Sequence, residues 1–284
     1  MVPYTPVHAL VALPFARRGA RSRLTEPVRR WALPALVAGT MVPDAPIFLD
    51  VLWPGADELG HVTHGIVAAL TLDVVLALAL AALWVAVVGP AVLGALPRRS
   101  PVVRGAEEPV LDARRAEQGR AGAARAAGAV GAVGVATVVA AAVLGIFSHL
   151  AWDDVTHLRG HAVQAWDVLR EPLAGRPLYV YLQHGSSALG VLALLGAAIW
   201  WWRRAAPVVA PQHLRSAVVA VLVGAGIGLL GAVVRLAAEP AGVTLYALAR
   251  RSATYPVLGA ALAIVVWAAV LRVRAVRSRT VSEP

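Results

Sequence analysis

Four short motifs hold most of the side chains that could do chemistry. The first is His149-Leu-Ala-Trp-Asp153-Asp154-Val-Thr-His157, with His149, Asp153 and His157 at i, i+4 and i+8. On a helix these three share one face, about 6 Å apart per step. An imidazole and a carboxylate one turn apart can grip a metal ion, and the next His completes that shell or begins a second. Asp154 points elsewhere and suits an orienting hydrogen bond behind a ligand. The second motif is His61-Val-Thr-His64, at i and i+3 where an apolar run begins. The third is Pro43-Asp44-Ala-Pro46, whose prolines break a helix beside an Asp within an apolar stretch. Irregular backbone at membrane depth is tolerated where it lines a cavity. The fourth is Gln183-His184-Gly-Ser-Ser at the start of another apolar run. His8, nine residues before Arg17, reaches such a site only if the site is sunken in the bilayer.

Other polar groups read more blandly. His161 and His213 fit interfacial positions, and Asp57, Glu58, Asp167 and Glu171 fit solvated loops. Asp73 reads as a mid-span residue, either a hydrogen-bonded buried group or a ligand. Ser186 and Ser187 lack the strand-turn-helix elbow that a serine nucleophile needs. With no cysteine in the chain, thiolate zinc sites, iron–sulfur clusters and disulfides are excluded. Any metal site must be built from His and carboxylate.

The elements that position these residues are membrane helices. Hydrophobic residues make up 59% of the 284 positions and charged residues 15%, against about 25% charged in a soluble domain. Apolar stretches of spanning length recur at Trp31–Trp53, His64–Val88, Ala126–Trp152, Tyr179–Trp202, Leu214–Leu236 and Thr254–Leu271. Prolines 34, 43 and 46 interrupt the first. Tyr4–Phe15 is too short to cross and reads as a partly inserted helix, and Leu245–Leu248 reads as interfacial. The fold class is therefore all-α, a polytopic transmembrane bundle of about six spans plus a short N-terminal helix. Ionisable groups inside such a bundle are costly, which makes each a functional candidate.

All 26 basic residues are Arg, and 20 of them fall within 17–30, 98–125, 203–215 and the tail from 272. The positive-inside rule places that set and both termini in the cytoplasm. The four motifs then converge on the extracytoplasmic side. The net charge of +10 is topogenic on this reading, and nucleic acid is not expected as a partner. Residues 1–96 form an N-terminal helical group, 97–125 a polar cytoplasmic linker, 126–204 a second group with the His149 motif and His184, and 205–284 the C-terminal helices and basic tail. Gly226-Ile-Gly228-Leu-Leu-Gly231 matches a dinucleotide-binding pattern but lies inside a span. Small residues at four-residue spacing, Gly224 and Gly228 included, fit close helix packing there.

The ordered set Pro3-Tyr-Thr-Pro-Val-His8, Met-Val-Pro43-Asp44, Thr63-His64-Gly, His149-Leu-Ala-Trp-Asp153-Asp-Val-Thr-His157 and Leu-Gln183-His184-Gly-Ser-Ser resembles the bacterial family known as domain of unknown function 4184. Asp73 also falls where that family tends to have an Asp. The order is similar to bacterial inner-membrane proteins described as metal-dependent hydrolases and, more distantly, to zinc-dependent phospholipase C. The phospholipase pattern continues with a His-x-x-x-Glu pair, whereas the fourth residue after His184 is Ala188. That departure implies one or two metals rather than three.

Together these observations lead to an expected membrane-embedded, metal-dependent hydrolase of the bacterial inner membrane. Asp44, His64, His149 and Asp153 would bind the ion, with His8, His157 and His184 completing one or two sites. Zinc suits such ligands best, with manganese or iron next. Asp154 or Asp44 would act as general base, and an ester or phosphoester, free or lipid-linked, would be the substrate. Two alternatives stand beside this. One is a non-enzymatic metal-binding transporter or sensor, the other a structural bundle whose His residues only link helices.

Overall fold

The computed structural model describes residues 5–12, 26–95, 131–204, 213–238 and 243–281. The linker expected at 97–125 lies outside the described residues. The chain opens with a 3-10 helix, α1 (Thr5–Ala12), and α2 (Glu26–Gly39) follows. A 3-10 turn, Val42–Asp44, leads into α3 (Ala45–Leu49). Two short helices, α4 (Gly60–Thr63) and α5 (Ile66–Leu70), precede α6 (Leu72–Leu83). A π turn at Trp84–Val88 carries that helix into α7 (Gly89–Ala95).

The second half begins with α8 (Ala132–Thr156), α9 (His161–Ala165) and α10 (Asp167–Arg170). A two-strand hairpin, β1 (Pro172–Leu173) and β2 (Arg176–Pro177), then leads into α11 (Leu178–Arg204). The long helices α12 (Leu214–Ala237) and α13 (Leu245–Val281) complete the described chain.

Among the described residues, five helices are long and apolar enough to cross a membrane: Leu72–Ala95, Gly134–Ala165, Leu178–Trp200, Leu214–Ala237 and Ala247–Arg274. A sixth crossing forms if the bent pair Val28–Gly39 and Val42–Leu49, at 43°, counts as one span. The protein is a multi-pass, all-α membrane protein. The bend sits where Pro43 and Pro46 remove two amide donors, as the sequence leads one to expect.

Two boundaries differ from the sequence expectation. The second span starts at Leu72 rather than His64, because Gly65 is extended and Thr71 takes a non-helical conformation. His64 is thus left in a turn ahead of the span, and Asp73 falls in the first turn of α6 instead of mid-span. Leu245–Leu248 is the opening turn of α13, which runs on through Pro256.

Helices in lipid gain little from apolar burial and associate mainly where small side chains let backbones approach. The core between α2, α6 and α8 follows that rule, with Ala35, Ala38, Ala77, Ala81 and Ala142 packed around Val42 and Val138. Gly39 and Gly145 lie at the α2–α8 crossing. A Cβ on Gly145 would stand 2.2 Å from the Leu36 carbonyl oxygen, and one on Gly39 would stand 2.3 Å from that of Ala142. The hairpin of α12 and α13 closes the same way, Gly224 against Gly259 and Gly228 against Tyr255. Gly228 and Gly231 of the Gly226–Gly231 pattern therefore belong to a helix-packing seam, while Gly226 faces open space. Arg250 of α13 ties this hairpin to the N-terminal half, reaching Asp50 at 3.0 Å and Asp57 at 2.9 Å.

Candidate metal centre

The site forms where the proline break meets the α2–α8 crossing. Close approach at Gly39 and Gly145 brings the last turn of α2 against α8, and the Thr40 carbonyl accepts a hydrogen bond from His149 Nδ1 at 2.9 Å. Four residues further on, Asp44 stands in the break with its carboxylate nearly enclosed. The break frees the Pro43 carbonyl, and Thr63 Oγ1 donates to it at 2.7 Å in a buried hydrogen bond. That bond pins the 60–64 turn over Asp44. His64 then donates from Nδ1 to the Gly60 carbonyl at 2.8 Å.

Both imidazoles are thereby fixed in one tautomer. With Nδ1–H committed to a backbone carbonyl, Nε2 presents a lone pair, as in metal-ligating histidines with an outer hydrogen bond. These lone pairs point at carboxylates. His149 Nε2 lies 3.7 Å from Asp44 Oδ1 and 3.3 Å from Asp153 Oδ2. His64 Nε2 lies 4.0 Å from Asp44 Oδ1 and 3.4 Å from Asp153 Oδ2. His149 is wholly buried, and its Nε2 has no hydrogen-bond partner.

Acceptor facing acceptor is unfavourable unless a cation stands between, and the candidates are a proton and a metal ion. A proton would draw nitrogen and oxygen to about 2.7–2.9 Å. A zinc ion with bonds of about 2.0–2.2 Å separates adjacent ligand atoms by about 3.3–3.5 Å. The two Asp153 distances fall in that range, and the two Asp44 distances lie slightly beyond it. One ligand atom from each of Asp44, His64, His149 and Asp153 lies within 4.8 Å of every other, so the group could hold a metal ion.

Asp153 offers its other oxygen, Oδ1, to a second pair of imidazoles. His157 Nδ1 lies 3.5 Å from it and His8 Nε2 3.9 Å. Helix α1 stacks the His8 ring on His149, centroids 4.2 Å apart, which brings His8 into the cluster. Burial, reinforced by the neighbouring His149, pushes His8 down to about 4, which leaves its ring neutral at physiological pH. His64 lies outside the spanning helices. Burial lowers its proton affinity, but the hydrogen bond its protonated ring donates to Asp153 and the charge of Asp44 outweigh that and hold it above the usual histidine value. Protonation at Nε2 of His64 therefore competes with a metal more strongly than it would at an ordinary histidine.

Helix α8 ends at Thr156, and His157 takes an extended conformation as its cap. Its Nε2 meets Gln183 Nε2 of α11 at 3.0 Å. The packing of Val163 and Leu169 against Tyr179 sets the start of α11 beside the end of α8.

Two residues expected at the site stand elsewhere. Asp154, one position on from Asp153, turns away, and its carboxylate accepts the backbone N–H of His161 at 2.5 Å and of Ala162 at 3.0 Å. It caps the first turn of α9. His184 is exposed on α11, because the neighbouring Gln183 occupies the inward position and one residue turns a helix by about 100°. His61 is likewise exposed.

Sequence reasoning gave no role to Thr40, Thr63 or Gln183. Thr63 and Gln183 each directly precede a candidate His, and that adjacency is the one signal that could have exposed them. Asp73 is fully buried, with neither carboxylate oxygen hydrogen-bonded.

The family described as a domain of unknown function, DUF4184, matches residues 2–273, nearly the whole sequence, and the chain belongs to it. No curated protein and no solved structure matches the chain.

Proposed function

We propose that this DUF4184 protein is a metal-dependent hydrolase of the bacterial inner membrane, acting on an ester or phosphoester at the extracytoplasmic interface. One observation carries the reading: two imidazoles, each fixed by a backbone carbonyl at Nδ1, converge with two carboxylates at metal-ligand spacing. Asp44, His64, His149 and Asp153 hold the ion. Zinc suits two nitrogens and two carboxylate oxygens, with manganese or iron next. A divalent ion bound there supplies Lewis-acid activation of water and of the scissile oxygen.

The remaining steps fall to the chain. Asp153 divides its oxygens between the His64/His149 pair and the His8/His157 pair, so charge at one pair is felt at the other. His157, partly exposed at the rim and held between Asp153 and Gln183, is placed to carry a proton to or from the reacting group. Asp44 keeps the general-base role open to it, since Asp154 is committed to capping α9. Burial of His149 and Asp44 excludes bulk water from the inner side.

The rival reading, a metal-binding transporter or sensor, draws on Asp73, a fully buried carboxylate without hydrogen-bond partners in the first turn of α6. One experiment separates the cases. Zinc, manganese and iron are measured in purified protein and in the His149→Ala/Asp153→Ala double variant, and both are assayed on chromogenic phosphoesters and carboxylic esters. A near-stoichiometric metal and hydrolysis, both lost in the folded variant, support the hydrolase. Metal without hydrolysis favours the rival, and a wild-type protein that takes up none of the three ions overturns both.

A further inference from the structure

A cavity of about 450 Å³ opens beside the cluster, between α1 and the spanning helices α8 and α11. Its size falls within the range of about 300–1,000 Å³ typical of small-molecule pockets. His8 lines its inner end, and the same His8 lies 3.9 Å from Asp153. The cavity and the cluster therefore meet at one side chain.

The polar groups on its wall are already satisfied. Ser148 donates to the Gly145 carbonyl at 2.7 Å, and Ser187 donates to that of Gln183 at 2.7 Å. Trp152 Nε1 donates to Ser186 Oγ at 3.3 Å, and Ser186 donates in turn to the Gln183 carbonyl. What remains for an occupant is hydrocarbon: Leu10, Leu189 and Ala193, with the Trp152 ring. Leu189 is 69% exposed on a helix of spanning length, so the outer end opens sideways toward lipid.

A wall whose hydroxyl and indole donors are all committed, and whose remaining surface is mostly hydrocarbon, offers little with which to select a sugar or a peptide. It suits a single alkyl chain that enters from the bilayer, with its polar end delivered to His8 and Asp153. We infer that the substrate is a lipid, with one acyl or alkyl chain in this groove and the scissile ester at the cluster. This inference rests on the hydrolase reading for its chemistry, but the groove can be tested apart from it.

The test compares Ala193→Trp, which fills the groove with an indole, to the wild type on alkyl p-nitrophenyl phosphates carrying ethyl or dodecyl chains. Because each ester is compared between two proteins, partition into micelles cancels. The expected result is at least a tenfold loss of kcat/KM for the dodecyl ester and less than a twofold change for the ethyl ester, with metal content unchanged. Leu189→Trp should repeat the pattern. Equal effects on both esters, or none, overturn the lipid-groove inference while leaving the hydrolase standing.

If neither these esters nor the p-nitrophenyl carboxylates of matching chain length are hydrolysed, the hydrolase reading fails, and the groove is read by photolabelling with a diazirine-bearing alkyl phosphate. Labels on α8 and α11 beside His8 that are competed by dodecyl phosphate and lost in Ala193→Trp support the groove. Labels spread evenly over the lipid-facing helices overturn it.

Discussion

Adding one methyl group at Gly145 should weaken metal binding without touching a ligand. A Cβ there would lie 2.2 Å from the Leu36 carbonyl oxygen, 3.0 Å from Thr40 N and 3.1 Å from the Gly39 carbonyl carbon. Restoring ordinary contact, at about 3.5 Å, separates α2 from α8 by about 1 Å. The His149–Thr40 hydrogen bond, now 2.9 Å, then stretches past the limit at which it counts as a bond. His149 loses the anchor that fixes its tautomer, and Asp44 recedes with α2. Loss of an outer-shell partner costs about 10–100-fold in metal affinity, and overpacking costs about 1–3 kcal/mol of stability. Gly145→Ala should show both, read by competitive zinc titration and thermal unfolding in detergent. Gly226→Ala is the control, since a Cβ at Gly226 meets nothing within 4 Å. Wild-type zinc affinity in a folded Gly145→Ala protein would refute the claim that this crossing sets the site.

Thr63→Val removes the 2.7 Å hydrogen bond to the Pro43 carbonyl. It should cost about 1–3 kcal/mol from the buried acceptor left unpaired and lower zinc affinity by freeing the His64 turn. A thermal melt and a zinc titration on the same sample check both halves. Gly228→Leu should destabilise the α12–α13 hairpin, where even a Cβ would lie 2.2 Å from the Tyr255 carbonyl oxygen. Zinc content should hold, and neither protein should bind a dinucleotide; a nucleotide-dependent shift in melting would contradict the packing role. Metal affinity should fall as pH falls. The raised proton affinity of His64 means that protonation competes at Nε2, and below its pKa each pH unit costs about tenfold in apparent affinity from this one group. Zinc titrations at pH 7.5 and 5.5 test the sign, and an affinity that rises on acidification would exclude His64 as a ligand.

Some of the site could be read along the chain and some could not. His149 and Asp153 are one helical turn apart, and that spacing holds wherever α8 packs. Asp153 and Asp154 are adjacent and identical in type, yet one faces the cluster while the other caps α9. Their division depends on where α8 ends and the chain turns back at Gly160, whose Cβ would overlap the Asp154 carbonyl. Gln183 and His184 present the same problem on α11. Chemistry favoured the His, and the helix register delivered the Gln. Residue counting brought His8 to the site only on the condition that the site is sunken, and the fold stacks its ring on His149.

By itself the sequence determined the class and the ingredients. Composition demanded a membrane bundle, apolar run lengths set about six crossings, prolines marked the break at Asp44, and the four motifs supplied the candidate ligands. These are local properties, fixed by hydropathy and by a 3.6-residue period over neighbouring positions. Only the tertiary structure decided which atoms meet. Thr40 and His149 are 109 positions apart, and what joins them is the contact of two glycine faces rather than any pattern within either helix. The same packing orients each Nε2 and leaves an apolar groove at His8, because distances between helices depend on how their surfaces fit.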